Sequence, residues 1–181
     1  MNISIIAAIG KNNELGKKND LLWDLPLDMK HFRETTRGHT VVMGQKTFES
    51  LARDDNGKQI GRLLPNRRNI ILTLEPTFKA KGAEIFHSVE EVMKLLGKDE
   101  SIQQAEYREV FIIGGGMIYK LFIDLADKLY ITHVDEVFKD AEIFFPVIDE
   151  TKWKKIKSEK FSKDDSNEYD LEFAEYTKKQ Q

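Results

Sequence analysis

The segment Leu25-Pro26-Leu27-Asp28-Met29-Lys30-His31-Phe32 sets one carboxylate among apolar residues at helical spacing. Leu25, Asp28, Met29 and Phe32 stand at i, i+3, i+4 and i+7, a single helix face. Two readings of Asp28 follow. With Pro26 at the first helical position, Asp28 falls near the third, where a carboxylate gains about 0.3 to 1 kcal/mol from the macrodipole. Alternatively, a carboxylate desolvated by its apolar neighbours recognises and polarises a cationic or amidine-like ligand, and its pKa rises. Spacing leaves both open.

Phosphate chemistry is suggested at two other places. Val110-Phe111-Ile112-Ile113-Gly114-Gly115-Gly116-Met117-Ile118-Tyr119 reads as an apolar strand turning through three glycines into an amphipathic helix. Backbone amides at such a helix start attract a phosphate, and glycines let it approach. A tightly packed turn explains the glycines equally well. Val41-Val42-Met43-Gly44-Gln45-Lys46-Thr47-Phe48 repeats the logic, with Gly44 at the turn and Thr47 at the helix start. Two such junctions can hold the two phosphates of one dinucleotide. Arg53, Arg62, Arg67 and Arg68 fall within one stretch, by default a solvated loop. Yet Pro65-Asn66-Arg67 just before a buried strand would present a rigidly held guanidinium, the usual fork for a ligand carboxylate.

Several chemistries drop out. No third glycine completes a dinucleotide fingerprint after Gly114, and no Gly-x4-Gly-Lys-Ser/Thr loop exists. The histidines His31, His39, His87 and His133 lack the i,i+4 pairing of a zinc protease. With no cysteine there is no disulfide scaffold, thiolate nucleophile or Cys-based metal site, and no metal is expected.

The elements that must position these residues alternate. Apolar, β-branched runs at 3–9, 40–43, 69–74 and 110–113, and a looser one at 83–87, suit strands covered on both faces. Helices are expected over 26–37, 46–52, 88–96 and 116–126, the third opened by Ser88 with Glu91 as its capping-box partner. The stretches 128–135, 153–161 and 169–176 follow without helices between, so an antiparallel hairpin should finish the sheet around a polar loop at 162–167. The sum is an α/β fold with one mixed, mostly parallel sheet, flanking helices and an antiparallel C-terminal edge. Two long connections, 11–23 and 53–68, show no period, and the second carries the turn signal Asp54-Asp55-Asn56-Gly57.

At 181 residues the chain reads as a single domain spanning 1–181. A formal charge of -3 supplies no field for nucleic acid or an anionic membrane, so neither partner is expected. No apolar run is long enough to cross a bilayer, and the N-terminus lacks the features of a signal peptide. A cytoplasmic location is the expectation.

Together these pieces resemble the dihydrofolate reductase family, in order along almost the whole chain. The resemblance is carried by Ile6-Ala7-Ala8-Ile9-Gly10, Gly16, Trp23-Asp24-Leu25-Pro26-Leu27-Asp28-Met29-Lys30-His31-Phe32, Val42-Met43-Gly44 with Thr47-Phe48-Glu49-Ser50, Leu64-Pro65 with Arg67 and Asn69-Ile70-Ile71-Leu72, Ile113-Gly114-Gly115-Gly116, Tyr119, Leu129 to Asp135, and Phe145-Pro146. It implies an eight-stranded sheet and reduction of 7,8-dihydrofolate to tetrahydrofolate by hydride transfer from NADPH, in support of one-carbon and thymidylate metabolism. It implies that Asp28 binds the pterin amidine edge, that Thr132 supports that carboxylate, and that Trp23 and Leu21 belong to a loop closing over the nicotinamide. Ile6, Ala8, Met29, Phe32, Leu51, Leu64 and Ile113 would line the substrate cleft, with Arg67 on the glutamate α-carboxylate. Ala8, Ile9, Leu15, Gly16, Gly44, Gln45, Lys46, Thr47, Leu72, Thr73, Leu74, His87, Ile113, Gly114, Gly115, Gly116, Met117, Ile118 and Tyr119 would contact the cofactor. A cis peptide is implied between Gly115 and Gly116, and a monomer is the implied state.

The chain also departs from the family. Leu22 stands before Trp23 where proline is usual, so the loop lacks a φ restraint. Gln45, Leu74, Glu75 and Met117 occupy positions that often carry basic or hydroxyl groups. Lys46 is the nearest expected cation for a 2'-phosphate, with NADH a weaker alternative donor. Residues 53–61 read as an insertion. A riboflavin-pathway reductase acting on a ribosylated pyrimidine shares the sheet but gives no reason for Asp28, Phe32 and Arg67 together, and a nucleotide-binding module without turnover gives none for Asp28 and Thr132.

Overall fold

The computed structural model describes residues 1–18, 20–99 and 109–179. Its main sheet has eight strands: β1 (Asn2–Ile9), β4 (Thr40–Gly44), β5 (Arg68–Leu72), β6 (Glu84–Phe86), β7 (Glu109–Ile112), β8 (Lys128–Val134), β10 (Trp153–Phe161) and β11 (Leu171–Lys178). Their order across the sheet is β10-β11-β8-β1-β7-β4-β5-β6. Pairs from β8 through β6 are parallel, and β11 runs antiparallel to both β8 and β10, as expected.

Period-2 alternation splits the core into two layers. Ile3, Ile5, Ala7 and Ile9 of β1 join Val42, Ile70, Val110 and Ile112 in one cluster, while Ile6, Val41, Met43, Ile71, Phe111 and Ile113 form another on the opposite face. The first face is covered by α3 (Val89–Lys98) through Val92 and Leu96, and by α4 (Gly116–Phe122) through Ile118, Tyr119 and Phe122. The second receives Phe32 of α1 (Pro26–Thr36) and Phe48 of α2 (Gln45–Ser50). Such strands must be apolar at every position, which is why they read as continuous runs.

Four expectations are corrected. The stretch 11–23 is not an unstructured connection: β2 (Glu14–Lys17) pairs with β3 (Asp20–Leu21) and with β9 (Ile143–Phe144) in a separate three-stranded sheet. These strands, two to four residues long, are too short to show a period. The cis peptide joins Gly114 to Gly115, one residue earlier than the resemblance implied. Gly114 has φ 114, open only to glycine, and Tyr119 fills the space where its Cβ would stand. The fourth helix ends at Phe122 rather than 126, and β5 stops at Leu72, after which Leu74 emerges 92% exposed. At α3 the Ser88 hydroxyl accepts from Glu91 N as expected, but the Glu91 carboxylate reaches back to His87 N. The 53–61 insertion closes on itself through an Arg53–Gln59 bridge, with Gly57 N donating to Asp54 O at the expected turn.

Candidate active site

The carboxylate of Asp28 enters the site because α1 follows β3 and its first turn lies against β8. Thr132 of β8 donates its hydroxyl to Asp28 Oδ1 at 2.6 Å. Thr132 stands opposite Ala8 in the β1–β8 register, so sheet pairing fixes where that hydroxyl is. Asp28 is half-buried. Burial raises its pKa, and the Thr132 hydrogen bond only partly offsets the rise. The charged carboxylate also pushes up the pKa of Tyr119, whose burial is the larger cause. Tyr119 donates its hydroxyl to Ile6 O at 2.8 Å, locking α4 against β1 beneath the acid.

Beside Asp28 runs an apolar cleft. Ile6 of β1 and Ile113, the residue after neighbouring β7, pack in one cluster with Phe32, Leu51 and Leu64. Five of the substrate-lining residues named from sequence therefore meet on one face of the sheet. Met29, 37% exposed, and Ala8, packed with Trp23, sit at its margins. Arg67 stands at the cleft's far end and is immobilised: Nε donates to Thr36 Oγ1 at 2.9 Å, Nη1 to Pro65 O at 2.8 Å and Nη2 to Arg33 O at 3.0 Å. Its guanidinium carbon lies 6.0 Å from the Phe32 ring centroid. A guanidinium has five N–H donors, so two remain for an incoming carboxylate. Burial, with Arg37 and Arg33 nearby, lowers its pKa, and such a group holds a carboxylate without ceasing to be a cation.

The two glycine junctions are adjacent. Gly44 N donates to Gly114 O at 2.7 Å, and a Cβ on Gly44 would meet Ile118 Cγ1 at 2.9 Å. A Cβ on Gly115 would meet the Thr47 hydroxyl at 3.2 Å. Neither α2 nor α4 has a side-chain cap, and the two helix starts lie side by side beyond the C-terminal ends of β4 and β7. That fits the pyrophosphate of a dinucleotide.

Next along the same edge, after β5, Thr73 donates to Gln45 Oε1 at 2.5 Å and accepts from Glu75 N at 3.1 Å. Gln45 Nε2 donates to Glu49 at 2.9 Å and to Glu75 at 3.1 Å. These hydroxyl and amide donors are thus committed within the protein, and a carboxylate pair lies among them. His87 Nδ1 meets the Thr73 carbonyl at 3.0 Å, which fixes the proton on Nδ1 in the neutral ring. Lys46 and Leu74 are exposed nearby. Glu75 departs from the family pattern in sequence, but its contact with Gln45, 30 residues away, is not legible there.

The remaining named residues lie around this edge. Leu15 and Gly16 are on β2, and Leu21 on β3 is 55% exposed. Met117 is 70% exposed, while Ile9, Leu72 and Ile118 are buried in the α3/α4 layer. Trp23 is buried, with its ring 4.9 Å from Phe138, and among the described residues its indole N–H is the buried side-chain donor without a protein acceptor. Sequence reasoning missed Glu14. It is 2% exposed and its carboxylate accepts from Asn12 N at 2.7 Å and Phe138 N at 3.2 Å, tying the start of β2 to the turn before it and to the segment after β8. Nothing in the spacing of Glu14 signals that role. Among the described residues no group of acidic and histidine side chains is placed to hold a metal.

Comparison with known proteins agrees with this geometry. The family model described as dihydrofolate reductase matches residues 2–178. The chain is 40% identical to a dihydrofolate reductase of Bacillus subtilis over 177 residues, 98% of this chain and 95% of that protein. It is 39% identical to the enzyme of Staphylococcus haemolyticus, covering 97% and 95%. Among solved structures, a dihydrofolate reductase from Enterococcus faecalis complexed with NADP(H) and RAB-propyl superposes with a TM-score of 0.82 at 33% identity, over 99% of this chain and 97% of that one.

Proposed function

The chain belongs to the dihydrofolate reductase family, enzymes that reduce 7,8-dihydrofolate to 5,6,7,8-tetrahydrofolate with NADPH, and we propose that here Asp28 is the carboxylate that grips and polarises the pterin. When bound, NADPH supplies the hydride that C6 receives. The chain's own task is to hold both partners and to bring a proton to N5, so that the N5–C6 double bond gains one hydride and one proton. Thr132 occupies Asp28 Oδ1, which leaves Oδ2 and the remaining lone pairs for the N–H groups of the pterin amidine edge. A carboxylate there favours the protonated pterin, and the proton arrives through water. The Trp23 indole N–H is a donor suited to holding such a water.

Ile6, Phe32, Leu51, Leu64 and Ile113 clasp the pterin and aminobenzoyl rings, and Arg67 binds the glutamate α-carboxylate with its two spare N–H groups. The glycine edge, with Gly44, Thr47, Gly115 and Gly116, takes the pyrophosphate. Gln45, Lys46, Thr73, Leu74 and His87 surround the adenosine. Because Glu75 stands among them, selection for the 2'-phosphate is weak and NADH is a usable second donor. The active unit is one domain, 1–181, working as a cytoplasmic monomer without nucleic-acid or membrane partners. Lysines along the exposed edge strand β10 support the monomer, since charged edges resist strand-to-strand association.

The observation that carries this reading is the 2.6 Å Thr132–Asp28 hydrogen bond at the mouth of the apolar cleft that ends in Arg67. The absorbance of reduced nicotinamide tests it. Rapid loss with dihydrofolate, and none with a ribosylated aminopyrimidine, is the expected result. Oxidation with the pyrimidine alone would point to the riboflavin-pathway chemistry, and oxidation with neither to a binding module.

A further inference from the structure

Helix α1 cannot cap its own N-terminus. Its N-cap position is Leu25, which has no side-chain acceptor, and its first helical residue, Pro26, has no N–H. The next donor, Leu27 N, is satisfied from 140 residues away: Asn167, in the loop between β10 and β11, accepts it through Oδ1 at 3.0 Å. Asn167 is only 6% exposed. It is fixed in turn by Asp164, whose Oδ1 accepts from Asn167 N at 2.7 Å and from Asn167 Nδ2 at 2.9 Å. The loop is joined to the end of β8, where Asp135 N donates to Asp170 O at 2.9 Å. The residue following Leu27 is Asp28, and Thr132, which holds the Asp28 carboxylate, is on β8.

We propose that Asn167 is a positioning residue for the reaction, acting as a helix cap supplied by the C-terminal hairpin that fixes the first turn of α1 and hence the Asp28 carboxylate against Thr132. This rests on Asp28 as the pterin carboxylate. Removing the cap leaves a buried N–H unpaired and lets the first turn fray. Water then reaches Asp28, and the carboxylate loses its fixed distance to the pterin. Displacement of a reacting group by about 1 Å costs up to a hundredfold in rate.

Three variants separate this role from simple support of the hairpin. Asn167→Ala removes the acceptor. Asn167→Asp combined with Asp164→Asn keeps an acceptor oxygen for Leu27 and reverses donor and acceptor between the two side chains without bringing two carboxylates together. Asp170→Ala removes the loop's side-chain contact to Lys163 N and leaves the contacts of Asn167 in place. The cap role predicts that Asn167→Ala lowers the rate of hydride transfer by about tenfold and raises the KM for dihydrofolate. NADPH affinity, read by quenching of protein fluorescence, should stay within about twofold of wild type. The pH profile should also move toward acid, because hydration relieves the burial that raises the Asp28 pKa; the other titratable group coupled to Asp28 is Tyr119, held on Ile6 O. The exchanged pair and Asp170→Ala should keep hydride transfer within about threefold of wild type even where they lower the melting temperature. Wild-type hydride transfer in Asn167→Ala, or the same loss in Asp170→Ala as in Asn167→Ala, would overturn the proposal. If instead Asp28→Asn proved fully active, the reading of Asp28 would be what failed.

Discussion

Thr132 commits its hydroxyl hydrogen to Asp28 and Thr36 commits its oxygen to Arg67, so each charged end of the cleft is oriented by a threonine rather than by an opposite charge. A counter-ion would neutralise the group that the ligand needs; a hydroxyl orients it and leaves its charge available. Arg67→Leu should therefore weaken a contact made equally in the ground and transition states. The KM for dihydrofolate should rise by about tenfold or more with kcat near wild type, whereas a folate lacking the glutamate tail should be unaffected. Equal damage with the truncated substrate would show that Arg67 acts elsewhere. At Gln45 the sign reverses, because Glu75 and Glu49 converge on its amide. Glu75→Gln should raise the ratio of NADPH to NADH affinity by about five- to tenfold, read from the two dissociation constants. An unchanged ratio would remove Glu75 from cofactor selection.

The elements meet at glycines where no side chain fits. Gly44 ends β4, bonds to Gly114 and lies under Ile118 of α4, so one residue joins both helix starts. In Gly44→Ala the new methyl group would come within 2.9 Å of Ile118 Cγ1, an atom near the backbone that cannot swing away. Overpacking of this kind costs about 1 to 3 kcal/mol, visible as a lower denaturation midpoint, and prising α2 from α4 should weaken NADPH binding as well. Loss of stability without loss of affinity would mean that the two helix starts do not act together. These junctions were legible in sequence because glycine between an apolar strand and a helix is a strong local signal. The three-stranded sheet was not, since β2, β3 and β9 are two to four residues long and the β2–β9 pairing spans more than a hundred positions. Asn167 capping α1 was invisible for the same reason: a cap donated from a distant hairpin leaves no mark beside the helix it serves.

Across the whole molecule, the parallel ladder sets the site's outline. Helices follow the C-terminal ends of neighbouring strands, so the glycine junctions after β4 and β7 and the Gln45, Thr73 and Glu75 group after β5 line one edge of the sheet, where a dinucleotide can lie. The continuous apolar runs made these strands readable from sequence, and the single helix face of Leu25, Met29 and Phe32 made α1 readable. What spacing left open was whether Asp28 served the helix or a ligand, because that depends on Thr132, 104 residues away. Holding a desolvated carboxylate also has a cost to stability. The folded-state pKa of Asp28 is raised above its unfolded value, so the folded chain binds the extra proton between the two and loses stability as pH rises through that window. Asp28→Asn should accordingly melt higher than wild type at about pH 7, with the difference vanishing below the ordinary carboxylate range near pH 4. A lower melting temperature at neutral pH would contradict the desolvation argument. The most direct test of the central claim is the rate of hydride transfer to dihydrofolate as a function of pH, in wild type and in Asp28→Asn. The account predicts that the variant loses most rate near neutral pH and regains part of it in acid, where bulk solvent protonates N5 without help. Identical profiles for the two proteins from about pH 5 to pH 9 would show that Asp28 is not the group that polarises the substrate.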